Sequence, residues 1–455
     1  MNSRRSVFEA PLKRILSPFE DFLRSNTAGG IVLITATVLA LGLAYWLGDQ
    51  VIHHFWGTTL YFGAQGGFHA TFTWHRVVND GLMVLFFLLV GLELKREILV
   101  GELSSLRDAA LPVIAATGGM VVPALIYLAF NYGTPTVSGW GIPMATDIAF
   151  AIGILVLLAW RAPRNLIVFL TALAIADDLG AVLVIALFYS GQLDMIALGY
   201  AVAFFGLLIG FNFAGLRQPL PYALVGILLW YAVLVSGVHA TIAGILLAFA
   251  IPARSWFTAS DFEQKSVDLL AAFREQIGGG EDDPLRNARI TSIAESVEHT
   301  ASAVQSPLLR IEHGLNPWVT FFIVPVFALS NAGIDLGAVN WSGVFAHRVT
   351  LGVVLGLVVG KFIGIAGFSG LAVRLGLGRL PSGVTWKHLL GSAWLGGIGF
   401  TMSLFISQLA FKDPAHIEQA KLGILCGSAL SAVIGLAWLF VSAQRAGNAQ
   451  DSEPL

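Results

Sequence analysis

Apolar runs of about twenty residues recur along most of this chain, and about 20 mainly apolar residues are what a helix needs to cross a bilayer. The 455-residue chain is 56% hydrophobic and only 12% charged, whereas soluble proteins carry roughly 25% charged residues. A porin-like barrel would show alternating segments of about ten residues, but these runs are continuous. The sequence therefore predicts an all-α integral membrane protein. Its net charge of −2 does not indicate a nucleic-acid partner.

The runs predict twelve transmembrane helices, and basic residues predict their orientation, because cytoplasmic loops are enriched in Lys and Arg. With the N-terminus inside, 21 of the 26 basic residues fall on the cytoplasmic side, four on the outer side and one, Lys361, within a span. Both termini are therefore predicted to be cytoplasmic. The predicted spans are 29–48, 77–95, 109–130, 141–160, 166–189, 195–214, 219–236, 238–252, 317–336, 350–374, 388–410 and 420–442.

A polar loop at 253–310 interrupts the apolar pattern. A capping-box pattern at 260–263 predicts one helix in this loop, and the residues 290–304 predict a second amphipathic helix. We expect a solvated cytoplasmic hairpin or linker, with a sensor domain as the alternative. The predicted regions are a cytoplasmic N-terminal segment at 1–28, a twelve-helix domain at 29–442 and a cytoplasmic tail at 443–455.

Helix-breaking residues interrupt two of the predicted spans at corresponding places. Span 3 enters the membrane from the inside and span 10 from the outside, so spans 3–5 and 10–12 are predicted to form inverted repeats. Paired interrupted spans in two halves indicate a transport site. The alternative is that the glycines only allow close helix packing. The breaks are Gly141-Ile142-Pro143 with Thr146-Asp147 in span 4, and Gly396-Gly397-Ile398-Gly399 with Thr401 in span 11.

Asp147, Asp177, Asp178 and Lys361 are predicted at membrane depth, where an ionisable residue costs about 2.5–3.5 kcal/mol. The neighbours Asp177 and Asp178 offer oxygen ligands, which suit a hard cation such as Na⁺. Burial and mutual repulsion also favour the protonated form of at least one of them. A site that holds either Na⁺ or protons, but not both, is sufficient for antiport. A structural salt bridge is the alternative for one of these acids.

The remaining charges at membrane depth are expected to neutralise one another or the helix ends. A buried Lys361 would lose its proton without a carboxylate partner, and either Asp177 or Asp178 could be that partner. Lys361 could also offset the partial negative charge at the carbonyl ends of broken helices, and Asp147 could do the converse at their N-termini. The Thr146 hydroxyl is a candidate cation ligand, with a bond to its own backbone as the alternative.

Further ionisable residues lie near the ends of the spans. Glu93 and Glu97 share a helix face, Glu312 and His313 precede span 9, and His239 opens span 8. They predict either ordinary helix ends at the interface or groups that gather cations and respond to pH near neutrality, where histidine titrates.

Six segments together resemble the bacterial NhaA sodium/proton antiporter family, and the resemblance runs from about Gly29 to about Leu439. The combination is highly specific, although no single segment is. The segments are 86–97, 145–150, 174–180, 236–241, 330–333 and 397–403.

The resemblance implies an inner-membrane antiporter that exchanges one Na⁺ or Li⁺ for two H⁺ and uses no cofactor. It implies that Asp178 is the principal cation ligand and that Asp177 carries a proton and pairs with Lys361. Thr146 and Asp147 would lie at the crossing of the broken helices, with Asp147 balancing charge. The other implied positions are the broken-helix residues Gly397, Gly399 and Thr401, and the pH-response residues Glu93, Arg96, Glu97, His239, Glu312 and His313.

Two features depart from better-known members of that family. The loop at 253–310 is much longer, and Asn316 stands where those members have a histidine. The pH profile is therefore left open. Members often form homodimers through an outer β-hairpin, for which 49–76 is the candidate here, with 58–62 as one strand.

Other functional classes compete with antiport. An intramembrane aspartyl protease would use Asp147 and Asp178 as a proton-sharing pair, but it would not need Lys361, and its Gly-x-Gly-Asp pattern is missing. A sodium-coupled symporter for an organic anion would need basic substrate contacts, which are few in the spans. A channel would need weaker binding than two buried acids provide. We therefore expect a secondary transporter rather than an enzyme.

Overall fold

The computed structural model describes residues 26–63, 69–157, 163–277, 287–337 and 346–450, together with residues 339 and 343. Within these residues, the regular structure is helical except for one β-hairpin, so the predicted all-α class is confirmed. The predicted segment 1–28 lies almost wholly outside the described residues, as do the last five residues of the predicted tail.

Helices follow one another along the described chain, because apolar runs of membrane length alternate with short polar or glycine-containing turns. The first elements are α1 (Asn26–Leu47), α2 (Asp49–Gly57), β1 (Thr59–Gly63), β2 (His69–Thr73) and α3 (Trp74–Val100). Next come α4 (Leu106–Asn131), a 3₁₀ helix (Pro135–Met144), α5 (Ile148–Leu157), α6 (Arg164–Phe188), α7 (Met195–Phe213), α8 (Pro219–Val235) and α9 (Ile242–Ala250). The last are α10 (Ala259–Ile277), α11 (Ala288–Val304), α12 (Pro307–Asn331), α13 (Arg348–Arg374), α14 (Trp386–Leu395), α15 (Phe400–Ala410) and α16 (Pro414–Gln450).

Nine helical segments among the described residues are long and apolar enough to cross a membrane. Helices α14 and α15 form a tenth candidate, which is bent by 44° at its break. The other two predicted spans, 219–236 and 238–252, correspond to the shorter helices α8 and α9, of 17 and 9 residues. Each predicted span therefore has a helical counterpart, and the total of twelve depends on these two short helices.

The chain forms two compact units. Among the described residues, one unit comprises the chain up to Phe86, Glu97–Gln192 and the chain from Trp318 onward. The other comprises Phe87–Arg96 and Leu193–Pro317. The first unit contains both predicted repeats, which are α4 to α6 and α13 to α16.

Helices α4 and α13, the first members of the two repeats, pack closely in antiparallel directions. In the middle of α4, a Cβ atom on Gly364 of α13 would lie only 2.1 Å from the carbonyl oxygen of Gly118. At the last residue of α4, Asn131 Nδ2 donates to the carbonyl oxygen of Arg348, the first residue of α13, at 3.1 Å. Residue numbers therefore increase along α4 in the direction in which they decrease along α13. The two helices are antiparallel, as inverted repeats require.

The polar loop contains the two predicted helices, α10 and α11, which pack against each other. The capping box lies two residues earlier than predicted. Thr258 Oγ1 accepts from Asp261 N at 3.2 Å, and Asp261 Oδ2 accepts from Thr258 N at 3.0 Å. These residues have the same spacing as Ser260 and Glu263, so the pattern alone could not distinguish the two pairs. The hydrogen bonds from Thr258 hold the pKa of the Asp261 carboxyl below its usual value.

A β-hairpin forms within the segment 49–76, as predicted. Strands β1 and β2 are antiparallel, with Thr59 opposite Thr73, so the predicted strand 58–62 is displaced by one residue. The helix α2 before the hairpin was not predicted. Homodimerisation through this hairpin stays a prediction.

Replacing Gly364 by alanine is expected to lower the free energy of unfolding by about 1–3 kcal/mol, the usual cost of overpacking. The new Cβ would collide with the Gly118 carbonyl, so α4 and α13 would have to separate. Gly367→Ala is the matched control, because nothing lies within 4 Å of its Cβ position and alanine favours a helix. Thermal unfolding in detergent measures the difference. Equal unfolding temperatures for the two variants would contradict the close contact.

Candidate functional site

The two helix breaks predicted from the sequence lie against each other. The 3₁₀ helix ends at Met144, and the residues before α5 are not helical. Asp147 N donates to the carbonyl oxygen of Ile398 at 2.6 Å, and Thr146 Oγ1 donates to that of Gly396 at 2.8 Å. Backbone groups freed by one break are therefore satisfied by the other, which membrane-buried irregular backbone requires.

One carboxylate caps two helices at this crossing. Asp147 Oδ1 accepts from Phe150 N, in the first turn of α5, at 3.0 Å. Its Oδ2 accepts from both the backbone N (3.0 Å) and the Oγ1 (2.5 Å) of Thr401, in the first turn of α15. Because helix N-termini carry partial positive charge, the Asp147 carboxylate is placed where it offsets two of them at once. Its predicted contact with helix N-termini is present, and its role in transport stays a prediction.

Glycine is required in the second break for space rather than for backbone angle. A Cβ on Gly397 would lie 2.4 Å from the carbonyl oxygen of Leu357, and one on Gly399 would lie 2.2 Å from Ser403 Oγ. Gly399 has φ −93°, which any residue can adopt. The two interpretations of these glycines, helix breakage and close packing, therefore both hold at this position.

The two acids of α6 and Lys361 of α13 are buried together with the first break. Asp177 and Lys361 are 0% exposed and Asp178 is 1% exposed. Lys361 Nζ donates to Asp177 Oδ2 and, at 3.0 Å, to Thr146 Oγ1. Asp177, rather than Asp178, is therefore the ion-pair partner of the lysine. Through Thr146, the pair is also joined to the crossing of the broken helices.

A π-helical turn places Lys361. The turn Gly356–Gly360 immediately precedes the lysine, and such turns change the direction of the side chains that follow them. Gly360 packs so closely on α4 that a Cβ there would lie 2.7 Å from the Cα of Pro123. The ammonium group is thus held between α4, α6 and the first break, beside the buried Asp177, Asp178 and Thr146.

Comparison with known proteins identifies the family. A family model described as Na⁺/H⁺ antiporter 1 matches residues 20–439. A "Na(+)/H(+) antiporter NhaA" from Syntrophobacter fumaroxidans is 58% identical over 435 residues, 95% of this chain and 92% of that protein. A protein of the same name from Acidithiobacillus ferrooxidans is 56% identical, over 95% of this chain and 99% of its own. This chain belongs to the NhaA Na⁺/H⁺ antiporter family.

Family membership confirms the resemblance seen in the sequence and supports Na⁺/H⁺ exchange as the activity. The protein is a multi-pass membrane transporter, and the bacterial family implies the inner membrane. Family membership favours transport over the protease alternative, and the roles of the buried acids stay predictions.

Of the six predicted pH-response residues, the structure brings Arg96 and Glu312 together. Arg96 NH1 lies 3.0 Å from Glu312 Oε1, and Glu312 is buried. His239 lies between α8 and α9, where its Nδ1 is 2.8 Å from Thr241 Oγ1. His313 is exposed.

The two glutamates of this antiporter's α3 are both half-buried. Glu97 Oε2 accepts from Glu102 N at 3.0 Å, so it helps to end the helix, as the interfacial interpretation expected. Glu93 lies one turn earlier and is also half-buried. A pH response of these residues stays a prediction.

Two serines that support the crossing were not predicted as site residues, although Ser403 lies within the segment 397–403. Ser403 Oγ donates to the carbonyl oxygen of Ile142 at 2.7 Å, which is a further hydrogen bond between the two broken spans. Ser428 Oγ of α16 accepts from Phe400 N, at the start of α15, at 3.2 Å. A serine within an apolar span is the signal that could have found them, but a serine there often bonds only its own helix.

Replacing Lys361 by methionine is expected to lower the free energy of unfolding by about 3–5 kcal/mol, because the Asp177 carboxylate would remain buried without its partner. The double variant Lys361→Met with Asp177→Leu is expected to lose less than the single variant, since no lone charge remains. Thermal unfolding in detergent measures both.

The control for this pair is Lys412→Met, whose side chain is exposed and whose loss should change stability little. The single variant Asp177→Leu completes the comparison. If the double variant loses as much free energy of unfolding as the two single variants lose together, Lys361 and Asp177 do not stabilise each other.

Proposed function

We propose that the protein exports Na⁺, and also Li⁺, across the bacterial inner membrane by alternating access, in exchange for two H⁺ per cation. Both termini face the cytoplasm, no cofactor takes part, and the exchange serves sodium and pH homeostasis. The observation that carries this proposal is the buried contact of Lys361 with both Asp177 and Thr146, beside Asp178.

The site contains the groups that competition between Na⁺ and protons needs. Asp178 is the principal cation ligand, Asp177 is a second carboxylate, and the Thr146 hydroxyl adds a neutral oxygen. Oxygen ligands of this kind suit a hard cation. Thr146 Oγ1 accepts from Lys361 in the described state, so Na⁺ and the ammonium compete for the same oxygen atoms.

The ratio of two protons per Na⁺ follows from the number of groups that must gain or lose a proton in each cycle. One proton is carried by the Asp178 carboxyl. The other is carried by the Asp177–Lys361 pair, whose members titrate together. Loading two protons in place of one Na⁺ leaves the site with one more positive charge, so each cycle moves net charge across the membrane.

Asp147 and the pH-response residues have supporting roles in transport. Asp147 offsets the N-termini of α5 and α15 and so leaves Asp177 and Asp178 to the transported ions. The pH response is assigned to Glu93, Arg96, Glu97, His239, Glu312 and His313, for which the Arg96–Glu312 ion pair is the supporting contact. The protein lies in the lipid bilayer and forms a homodimer through the β-hairpin.

Asp178→Asn is expected to abolish exchange, because an amide cannot alternate between Na⁺ and a proton. Everted vesicles from cells without other antiporters would be given an acid interior, and a pH-sensitive dye would report proton release when NaCl, LiCl, KCl or choline chloride is added. The intact chain should respond to Na⁺ and Li⁺ but not to K⁺ or choline.

The control is Asp268→Asn, an acid exposed on α10, which should leave the response intact. Lys361→Ala, compared at equal protein amount, reports whether the lysine is needed for exchange or only for stability. No response to any cation between pH 6.5 and 9, with folded protein present, would refute the proposed function.

Exchange in proteoliposomes is expected to depend on membrane potential, because two positive charges cross for one. A K⁺ diffusion potential set with valinomycin should accelerate Na⁺ movement in one polarity and slow it in the other. An electroneutral exchanger would show the same rate in both polarities, which would disprove the stoichiometry while leaving antiport intact.

A further inference from the structure

A closed triangle of hydrogen bonds joins α3 to α12. Asn331 Nδ2 donates to Asn79 Oδ1 at 3.1 Å, and Asn331 Oδ1 lies 3.1 Å from His75 Nε2. The third side joins Asn79 Nδ2 to the imidazole of His75, at 3.1 Å from Nδ1 and 3.3 Å from Nε2. All three residues belong to the same compact unit. The motif 330–333, which contains Asn331, has no part in the ion site described above.

The triangle closes only when His75 is neutral. Asn331 Oδ1 can only accept, so the neutral ring carries its proton on Nε2, which faces that oxygen. The Asn79 amide is a donor, so it needs an accepting ring nitrogen, and Nδ1 is then the one that remains. A protonated imidazole carries hydrogen on both nitrogens. Its Nδ1 would then face the Asn79 amide as a second donor, and that side of the triangle would be lost.

Burial makes these hydrogen bonds hard to replace. Asn331 is 0% exposed, and its Nδ2 also donates to the carbonyl oxygen of Phe327 at 3.0 Å. Asn79 lies in the π-helical turn Val77–Leu82 of α3, a backbone form that is frequent at functional sites. Because a buried amide without partners is costly, the intact triangle holds α3 and α12 against each other.

A cavity of about 300 Å³ borders the triangle at His75. The charged groups that line it are Glu418 and Lys421 of α16. On its own helix, His75 is followed by Arg76, which pairs with Asp80 at 3.3 Å. Among the described residues, α2, α12 and α15 contribute no charged side chain to this cavity. The cavity therefore places His75 beside a polar space that is large enough to hold water.

Helix α12 also contacts the second broken span. Phe327 of α12 packs against Phe405 of α15, with ring centroids 6.2 Å apart. Phe405 lies about one helical turn after Thr401, whose backbone and side chain donate to Asp147. A continuous set of contacts therefore runs from the triangle, through α12 and α15, to the crossing at the ion site.

We propose that His75, Asn79 and Asn331 are positioning residues for the exchange, which hold the outer ends of α3 and α12 together and separate when the ion site opens outward. This inference rests on the alternating access and the orientation of the proposed function. Protons outside favour the separation, because a protonated His75 cannot complete the triangle. The protons that drive Na⁺ export thus also promote opening to their own side.

A reversible cross-link tests whether the two helices must separate. Cysteines would replace Asn79 and Asn331 in a chain whose sole cysteine, Cys426, is changed to serine, and a short bis-thiosulfonate would bridge them. We expect bridging to abolish Na⁺-dependent exchange and reduction to restore it, while the reagent leaves each single-cysteine variant unaffected. Continued exchange by protein that mass spectrometry shows to be fully bridged would overturn the proposal.

The pH profile separates a positioning role from a merely structural one. Glutamine at position 75 can donate to Asn331 and accept from Asn79 but does not titrate, whereas leucine does neither. Na⁺ efflux from right-side-out vesicles would be followed at fixed internal pH while external pH is varied. Acid outside should accelerate the intact chain relative to His75→Gln by roughly three- to tenfold, the factor that one hydrogen bond of ordinary net strength represents.

His75→Leu should show no such acceleration, because its triangle is broken at every pH. A His75→Gln profile identical to that of the intact chain would overturn the proposal. Failure of the proposed function is distinguishable: the intact chain would then show no Na⁺-dependent exchange in either vesicle orientation. Exchange that is present but is not blocked by the cross-link would overturn the role of the triangle and leave the proposed function intact.

Discussion

The contact between the Lys361 ammonium and the Asp177 carboxylate determines much of the surrounding structure. Neither group is exposed, and an isolated charge at membrane depth is costly. The pair therefore requires α6 and α13 to approach closely. The additional bond from Lys361 to Thr146 ties the pair to the first helix break. A cation that displaces the ammonium from Asp177 and Thr146 would change the forces on three elements together.

Close backbone approach is the second requirement of this site, and glycines meet it. Gly364 lies against Gly118 where α13 crosses α4, and Gly397 lies against the carbonyl of Leu357. Without a hydrophobic force between helices in lipid, small residues at contacts are a principal means of association. The antiparallel packing of α4 and α13 brings the two breaks, which are far apart in sequence, to one place.

Much of the site could be predicted from sequence, because membrane-buried charges and paired breaks are rare and costly. Asp147, Thr146 and Thr401 were found in this way, and they meet at the crossing. The choice between Asp177 and Asp178 as the lysine's partner could not be made from the residues alone, since neighbours on a helix point about 100° apart and the rotation of α6 was unknown. The π-helical turn before Lys361 left no recognisable pattern either, because its residues are ordinary for an apolar helix.

The capping of both breaks by Asp147 shows that the two repeats are not chemically equivalent. Asp147 precedes α5, and the residue in the corresponding place before α15 is Gly399, which has no side chain to cap its helix. The second repeat relies on the first for that carboxylate. The two repeats therefore differ in chemistry, because one supplies a charge and the other supplies the space for it. Expressed alone, the second repeat would lack the carboxylate that caps its helix α15, whereas the first would keep its own cap on α5.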